Sequence, residues 1–325
     1  MITSDLFEEV LIKPVLAGAD TLRVLSGYAT PAMALRHIES LNNLEKFVCV
    51  ELIVGMPVVD GISLTNHKGF QDLSAKDFFQ CSYIYRPPAV HSKVYVWLKD
   101  QKPLAAFAGS ANYTQNAFGK QREVLAPCDP NLCDTYITNI AAESIYCNHN
   151  DADQLVQIYN DKLLTRRLGL PHVPPEAAEA LQTASGQADL TALPQVCISF
   201  LANDGTLPQS SGLNWGQRDG REPNQAYIKL PSVVYHVDFF PQRPARFTVL
   251  TDDNKTLHCA RAQDHGKAIH TPDDNSVMGK YFRQRLAVDL GEAVQKEDLD
   301  RYGRSDVCFW KIDDETYFMD FSNAY

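Results

Sequence analysis

The amino-acid sequence predicts two domains, an α/β domain followed by an all-β domain, and three observations carry that prediction. At 325 residues the chain is too long for one comfortable hydrophobic core. Up to about residue 170, strand-like and helix-like segments alternate, whereas beyond 195 short strand-like segments follow one another, separated by Gly, Pro, Asn and Asp. Between the halves the composition turns to Pro, Ala, Gln and Ser, with Pro171, Pro174, Pro175 and Pro194, as in a linker. The expected organisation is 1–170, a linker at 171–194, and 195–325.

In the first half, Leu6, Val10, Leu11 and Leu16 fall at near-helical spacing behind Ser4, a candidate N-cap, with Glu8 and Glu9 in the early turns, so a helix is expected over 3–18. Residues 21–28 read as a strand ending at a glycine. Pro31 opens a helix to about Leu41, and 47–54 read as a buried strand stopped by Gly55 and Pro57. This alternation implies a mostly parallel sheet covered on both faces. A helix around 69–79 precedes closely spaced strands at 82–85, around His91, at 104–109 and at 123–126. Helices at 131–147 and 151–168 close the domain, the second ending in Arg166-Arg167, which suit a helix C-terminus. In the second half, strands are expected at 196–201, 226–230, 245–250, 257–260, 284–290, 307–312 and 316–321, which suggests a β-barrel or sandwich.

Composition narrows the function classes. Hydrophobic residues make up 45 % and charged residues 22 %, with no run of about twenty apolar residues, so a soluble protein without a transmembrane helix is expected. The N-terminal stretch is acidic where a secretory signal is basic, which points to the cytoplasm. Eight scattered cysteines lack the density of a disulfide framework and read mostly as reduced core residues. The closest pair, Cys128 and Cys133, has no second pair or histidine beside it, and no metal is expected. A net charge of −10 opposes general attraction to nucleic acid, so any DNA-binding surface must be a focused patch.

The chemistry concentrates in Pro88-Ala89-Val90-His91-Ser92-Lys93-Val94-Tyr95-Val96-Trp97 and in Ala105-Ala106-Phe107-Ala108-Gly109-Ser110-Ala111-Asn112. On a strand, His91 and Lys93 share one face while Val94, Val96 and Leu98 take the other. The small residues at Gly109-Ser110 bring the backbone close to whatever Asn112 touches. A lone histidine on a strand is more often packed or solvent-facing than catalytic. Here a nucleophile, a cation and an amide converge. His91-x-Lys93 followed by Gly109-Ser110-x-Asn112 resembles the signature of the phospholipase D superfamily, in which both pieces meet at one phosphate. One departure is that the acidic residue usual five positions after the lysine is Leu98, with Asp100 off register.

That departure leaves the imidazole without its customary acceptor, and Glu123 is the best replacement, since BfiI-related nucleases of the superfamily place a glutamate at the corresponding point. The resemblance implies that His91 attacks phosphorus to give a phosphohistidine, with Lys93, Asn112 and Ser110 on the phosphate oxygens and no metal or other cofactor. It also implies a second imidazole to protonate the leaving oxygen. With one such motif per chain, that means a symmetric homodimer through the nuclease domain. His37, His67, His149 and His172 lack such company and read as structural or surface residues. Ser26 and Tyr28, at the end of the first strand, are candidate DNA contacts.

The second half carries Asn214, Trp215, Gln217, Arg218, Arg221, Asn224 and Gln225 on a glycine-rich stretch, several of them types that read base edges bidentately. Arg301 and Arg304 form a second, similar arm. Two arms on a small barrel resemble the plant B-three type DNA-binding domain. Tyr281-Phe282-Arg283-Gln284-Arg285 reads either as a source of phosphate contacts or as a strand with solvated charges. The whole chain resembles the NgoFVII family of Type II restriction endonucleases. That resemblance implies a phospholipase D-like domain with a mixed sheet flanked by helices, joined to an all-β B-three-like pseudobarrel. It further implies double-stranded DNA as substrate, a cognate DNA methyltransferase and, for some relatives, a helicase-like ATPase subunit. The rival readings are a phospholipase D-type lipid phosphodiesterase, which leaves residues 212–227 without a role, and a DNA-binding regulator with a silent nuclease fold.

Overall fold

The computed structural model describes residues 1–159, 193–237, 239–263 and 266–323, which fall into two units. Most of the expected linker lies outside the described residues, as do His172 and the C-terminal part of the helix expected at 151–168. In the first unit a seven-stranded sheet is built from β1 (Thr21–Ser26), β2 (Cys49–Val54), β4 (Phe79–Ile84), β5 (Lys93–Lys99), β6 (Lys102–Gly109), β7 (Leu125–Cys128) and β8 (Ser144–Tyr146). Its order is β7-β6-β5-β1-β2-β4-β8, and β3 (Ile62–Ser63) pairs separately with β9 (Ile158–Tyr159).

The sheet is mixed rather than mostly parallel. β1, β2 and β4 run parallel, and β5, β6, β7 and β8 attach antiparallel. The cause is the length of the connections. Two residues, Asp100 and Gln101, both at positive φ, join β5 to β6, and so short a turn allows only a hairpin.

Alternation along β5 divides two cores. Tyr95 and Trp97 pack with Val10, Leu11, Met33 and Phe70 on one face, and Val94, Val96 and Leu98 with Ile53 and Ile137 on the other. Trp97 donates its indole N–H to the buried Val10 carbonyl at 2.7 Å, which ties the N-terminal helix to the sheet.

Helix boundaries depart from expectation where a cap went unread. The helix expected at 69–79 is Leu64–Ser74, started by Ser63, whose hydroxyl accepts from Asn66 N. The N-terminal helix runs from a wide turn at Phe7–Ile12 into Lys13–Leu16; Ser4 does not cap it, and Leu16 is exposed. The helix expected at 131–147 ends at Ala141, leaving 144–146 free to form the edge strand.

The second unit holds a barrel-like, largely antiparallel sheet of β10 (Gln195–Ser199), β11 (Ile228–Lys229), β12 (Arg246–Thr251), β13 (Thr256–Ala262), β14 (Ala268–His270), β15 (Asp306–Lys311) and β16 (Thr316–Asp320), ordered β10-β15-β16-β12-β13-β14-β11. The strand expected at 284–290 is instead the end of a helix, Ser276–Leu286. Its buried residues Met278, Tyr281, Phe282 and Leu286 follow helical spacing. A second helix, Lys296–Tyr302, opens with a capping box between Gln295 and Asp298.

This helix also removes Arg283 and Arg285 from the list of phosphate contacts. Arg283 is fully buried and donates to the carbonyls of Glu292, Gly279 and Pro223, while Arg285 forks onto Asp252 at 2.9 and 2.7 Å and meets the Tyr302 hydroxyl. Six cysteines are unbridged, but Cys197 and Cys308, directly opposite on β10 and β15, form a disulfide that the scattered spacing did not announce. Among the described residues no helix is long and apolar enough to cross a membrane.

Candidate functional site

Four chain segments meet at one end of the first sheet. β1 ends at Ser26, β2 runs into Gly55, β5 begins at Lys93 and β6 ends at Gly109. His91 lies just before β5, in a loop rather than in the strand, and is exposed. Its placement depends on two glycines. Val90 N donates to the Gly55 carbonyl at 3.1 Å, and a Cβ on Gly55 would sit 1.9 Å from the Val90 carbonyl oxygen. A Cβ on Gly27 would press on His91 Cδ2 at 3.1 Å.

Lys93 is 6 % exposed, and its Nζ stands 3.0 Å from His91 Nδ1 and 3.2 Å from Nε2 while donating to the His91 carbonyl at 2.7 Å. An ammonium can only donate, so a ring nitrogen bonded to it is unprotonated. Burial pulls the lysine's pKa below its ordinary value, partly offset by the nearby Glu123 charge.

Asn112 is oriented through its oxygen. Oδ1 accepts from Tyr28 N at 3.1 Å and lies 3.4 Å from the Ser26 hydroxyl, which leaves the NH2 as its donor end. Ser26 is fully buried. It donates to the Tyr28 carbonyl at 2.6 Å and accepts from Tyr113 N at 2.9 Å, so it builds the wall of the site rather than its surface. Tyr28 is partly exposed, edge-on to the His91 ring at 5.9 Å, with its hydroxyl on Asp60; burial first, then Asp60, pushes that phenol up to about 12.

Glu123 does not orient His91 in this structure. Its carboxylate takes the Ser110 hydroxyl. The local backbone explains this, since Ser110 N donates to Val124 O at 2.9 Å and Val124 N to Ser110 Oγ at 3.0 Å, clasping the two segments so that Glu123 emerges beside Ser110. Asp60 and Tyr136, whose hydroxyl meets Ser92 Oγ at 2.7 Å, are neighbours that no sequence signal marked.

In the second unit the expected polar residues separate into two groups. Asn214 is fully buried, its NH2 on the Pro208 and Val294 carbonyls at 3.1 and 2.8 Å and its oxygen on Val294 N at 2.8 Å. Gln217 donates to the carbonyls of Pro223 and Gly291, both at 3.0 Å, and the buried Asn224 accepts from Gly291 N at 2.7 Å. Arg304 is held by Asp306 and Asp320 at 2.7 and 2.8 Å. The geometry gives these residues structural work, because Asn214 and Asn224 spend both ends of their amides, Gln217 its NH2, and Arg304 its Nε and Nη1 on partners inside the protein.

The second group faces outward. Arg218 is exposed, with Nε on Ser210 O at 2.6 Å, and Arg221 is exposed with its guanidinium 4.1 Å above the Trp215 ring and Nη1 on Gln225 Oε1 at 3.2 Å. Arg301 is also exposed, paired with Asp298 one helical turn away at 2.7 Å. His37, His67 and His149 read as expected, while His172 lies outside the described residues. His37 is buried between the Tyr113 hydroxyl and the Leu11 carbonyl, His67 is buried between the Tyr83 hydroxyl and Asp153, and His149 lies on the surface beside Asp151.

Two family models match successive parts of the chain. The NgoFVII restriction endonuclease N-terminal PLD (phospholipase D) domain matches residues 4–154, and the NgoFVII C-terminal B3-like DNA-binding domain matches residues 189–313. The chain belongs to the NgoFVII restriction endonuclease family. As a family member it carries a phospholipase D-type nuclease domain followed by a DNA-binding domain. No curated protein matches.

Solved structures similar to parts of the chain include NucT from Helicobacter pylori, at 18 % identity and TM-score 0.32, covering 45 % of this chain and 96 % of that one. Nuc from Salmonella typhimurium, a phospholipase D family member, has 17 % identity and TM-score 0.28, covering 42 % and 89 %. Phosphatidylserine synthase from Haemophilus influenzae has 15 % identity and TM-score 0.33, covering 53 % and 41 %.

Proposed function

We propose that this NgoFVII family member is a cytoplasmic, sequence-specific Type II endodeoxyribonuclease that cuts DNA through a phosphohistidine on His91 without a metal ion. The observation that carries the proposal is the Lys93 ammonium 3.0 Å from the His91 ring, with His91 and Asn112 both bordering Gly27 and the Asn112 oxygen held by Tyr28 N. An unprotonated nitrogen of His91 attacks phosphorus, the phosphorus–oxygen bond to the leaving alcohol breaks, and a proton is delivered to that oxygen. Water then attacks the phosphorus, giving its proton to the imidazole that had protonated the leaving oxygen, the phosphorus–nitrogen bond breaks and His91 is regenerated.

Lys93 and Asn112 offer fixed donors to the non-bridging oxygens, where charge grows in the transition state. Glu123 holds the Ser110 hydroxyl beside them, and its charge partly offsets the effect of burial on Lys93. The proton for the leaving oxygen comes from a second His91, which requires two chains to share one site in a homodimer. Boundaries near 170 and 195 separate the catalytic and recognition domains. Arg218, Arg221, Trp215, Gln225 and Arg301 face the DNA, and a methyltransferase of the same system protects the host sites.

The test is plasmid cleavage. Activity should persist in EDTA and vanish in His91→Ala, and an alkaline quench should leave radiolabelled DNA attached to the protein. Cleavage that EDTA abolishes, or that His91→Ala retains, sinks the mechanism.

A further inference from the structure

We infer that the turn Arg218-Asp219-Gly220-Arg221 reads a G·C base pair from the major groove, with the Arg221 guanidinium on the guanine O6 and N7. The inference deepens the recognition role proposed for the second unit and rests on it. Its first support is rigidity. Gly216 N donates to Gln225 O at 2.7 Å, Gln217 ties the loop to Pro223 and Gly291, and Asn224 ties it again to Gly291 N. Gly216 cannot be replaced here, because a Cβ would lie 2.3 Å from Glu222 O. On this base Arg221 N closes the turn on Arg218 O at 3.2 Å, and Gly220 supplies the positive φ, +75°, that a type II turn needs at its third position.

The second support is the state of the arginine itself. Stacked 4.1 Å above Trp215 and held through Nη1 by Gln225, the Arg221 fork has already lost most of its freedom before any ligand arrives. The Nη1 contact leaves the Nε and Nη2 edge to present two parallel N–H donors. Guanine offers two acceptors side by side on its major-groove edge, and no other base does.

Charge decides between a base and a phosphate as the acceptor. Residues 218–222 hold two arginines and two acids, Asp219 and Glu222, so the loop is neutral overall. A phosphate site gains from uniform positive charge. A base edge is matched by donors and acceptors in alternation, and the Asp219 carboxylate beside the arginines is the acceptor type suited to the N4 amino group of the paired cytosine.

The experiment selects preferred duplexes from a random pool with the full chain in a His91→Ala background, so that bound DNA stays intact. Each base pair of the selected site is then varied in competition binding. The expected result is a required G·C pair at which Arg221→Lys loses about 10- to 100-fold of discrimination, while other positions keep theirs. Replacing that guanine by 7-deazaguanine should weaken binding to the intact loop and leave Arg221→Lys unaffected. The 7-deazaguanine arm with the intact loop needs no arginine variant.

Equal weakening of Arg221→Lys on every duplex would assign the arginine to phosphate and overturn the inference. So would undiminished discrimination by Arg221→Lys, or indifference of the intact loop to 7-deazaguanine at every required guanine. If the unaltered loop selects no sequence, the recognition role fails along with it.

Discussion

Gly55→Ala tests whether the second parallel strand positions His91, the proposed nucleophile. Glycine is required at this site because the chain bearing His91 passes directly over it: an added Cβ would lie 1.9 Å from Val90 O, 2.8 Å from Val90 C and 2.9 Å from Val90 Cβ. Real contacts of this kind stay beyond 3.0 Å, so the Val90 segment must retreat by about 1.1 Å. It carries His91 one residue later, and the retreat also breaks the bond from Val90 N to Gly55 O.

Misplacing a reacting group by about 1 Å costs up to roughly 100-fold in rate, whereas the crowding itself costs about 1–3 kcal/mol of stability. Single-turnover cleavage should therefore fall about 100-fold, with DNA affinity, measured by fluorescence anisotropy, unchanged because the second unit is untouched. A thermal melt checks that the first unit remains folded. A folded Gly55→Ala protein that cleaves at the full rate would refute the reasoning, since His91 would then tolerate the displacement that the Gly55 contact demands.

Two further outcomes concern stability. Asn214→Ala leaves Val294 N and the carbonyls of Val294 and Pro208 without their partner, so the second unit should lose about 3 kcal/mol in calorimetry; a loss confined to one base pair of the recognised site, with stability intact, would show that Asn214 reads DNA after all. His37 is fully buried, and burial holds its pKa at about 4 against an ordinary 6.5. The unfolded chain therefore takes up a proton that the folded chain refuses. Stability is full above pH 6.5 and declines as pH falls towards 4, by about 3 kcal/mol from this group. Urea midpoints of the first unit should drop over that range, and a His37→Gln protein with the same slope would contradict the assignment.

Much of the fold was legible because it is written in local patterns. The alternation at 94–98 divided the two cores correctly, and the Gly and Pro punctuation located most strands. What escaped depended on signals read with the wrong weight. Ser63 caps a helix that the apolar spacing alone set five residues later, and Met278, Tyr281, Phe282 and Leu286 spelled a helix where a strand was expected.

In the first unit, His91, Lys93, Ser110 and Asn112 stood out because their spacing is itself the signal, and the structure gathers them at one sheet end. The partner of Glu123 could not be read from spacing, since it is decided by the clasp between Ser110 and Val124. Residue type misled most in the second unit. Asn214, Asn224 and Arg304 have the chemistry of base readers, yet only burial and existing hydrogen bonds reveal that their donors and acceptors are already engaged.

The separation between Asn214, Gln217 and Asn224 beneath the loop and Arg218, Asp219 and Arg221 at its tip has an evolutionary reach. Substitutions at the tip disturb no buried partner, so under the proposed recognition role a lineage explores new target sites by altering three exposed side chains while the anchoring amides hold the fold. If the tip reads DNA as proposed, new specificities arise in single steps without cost to the fold.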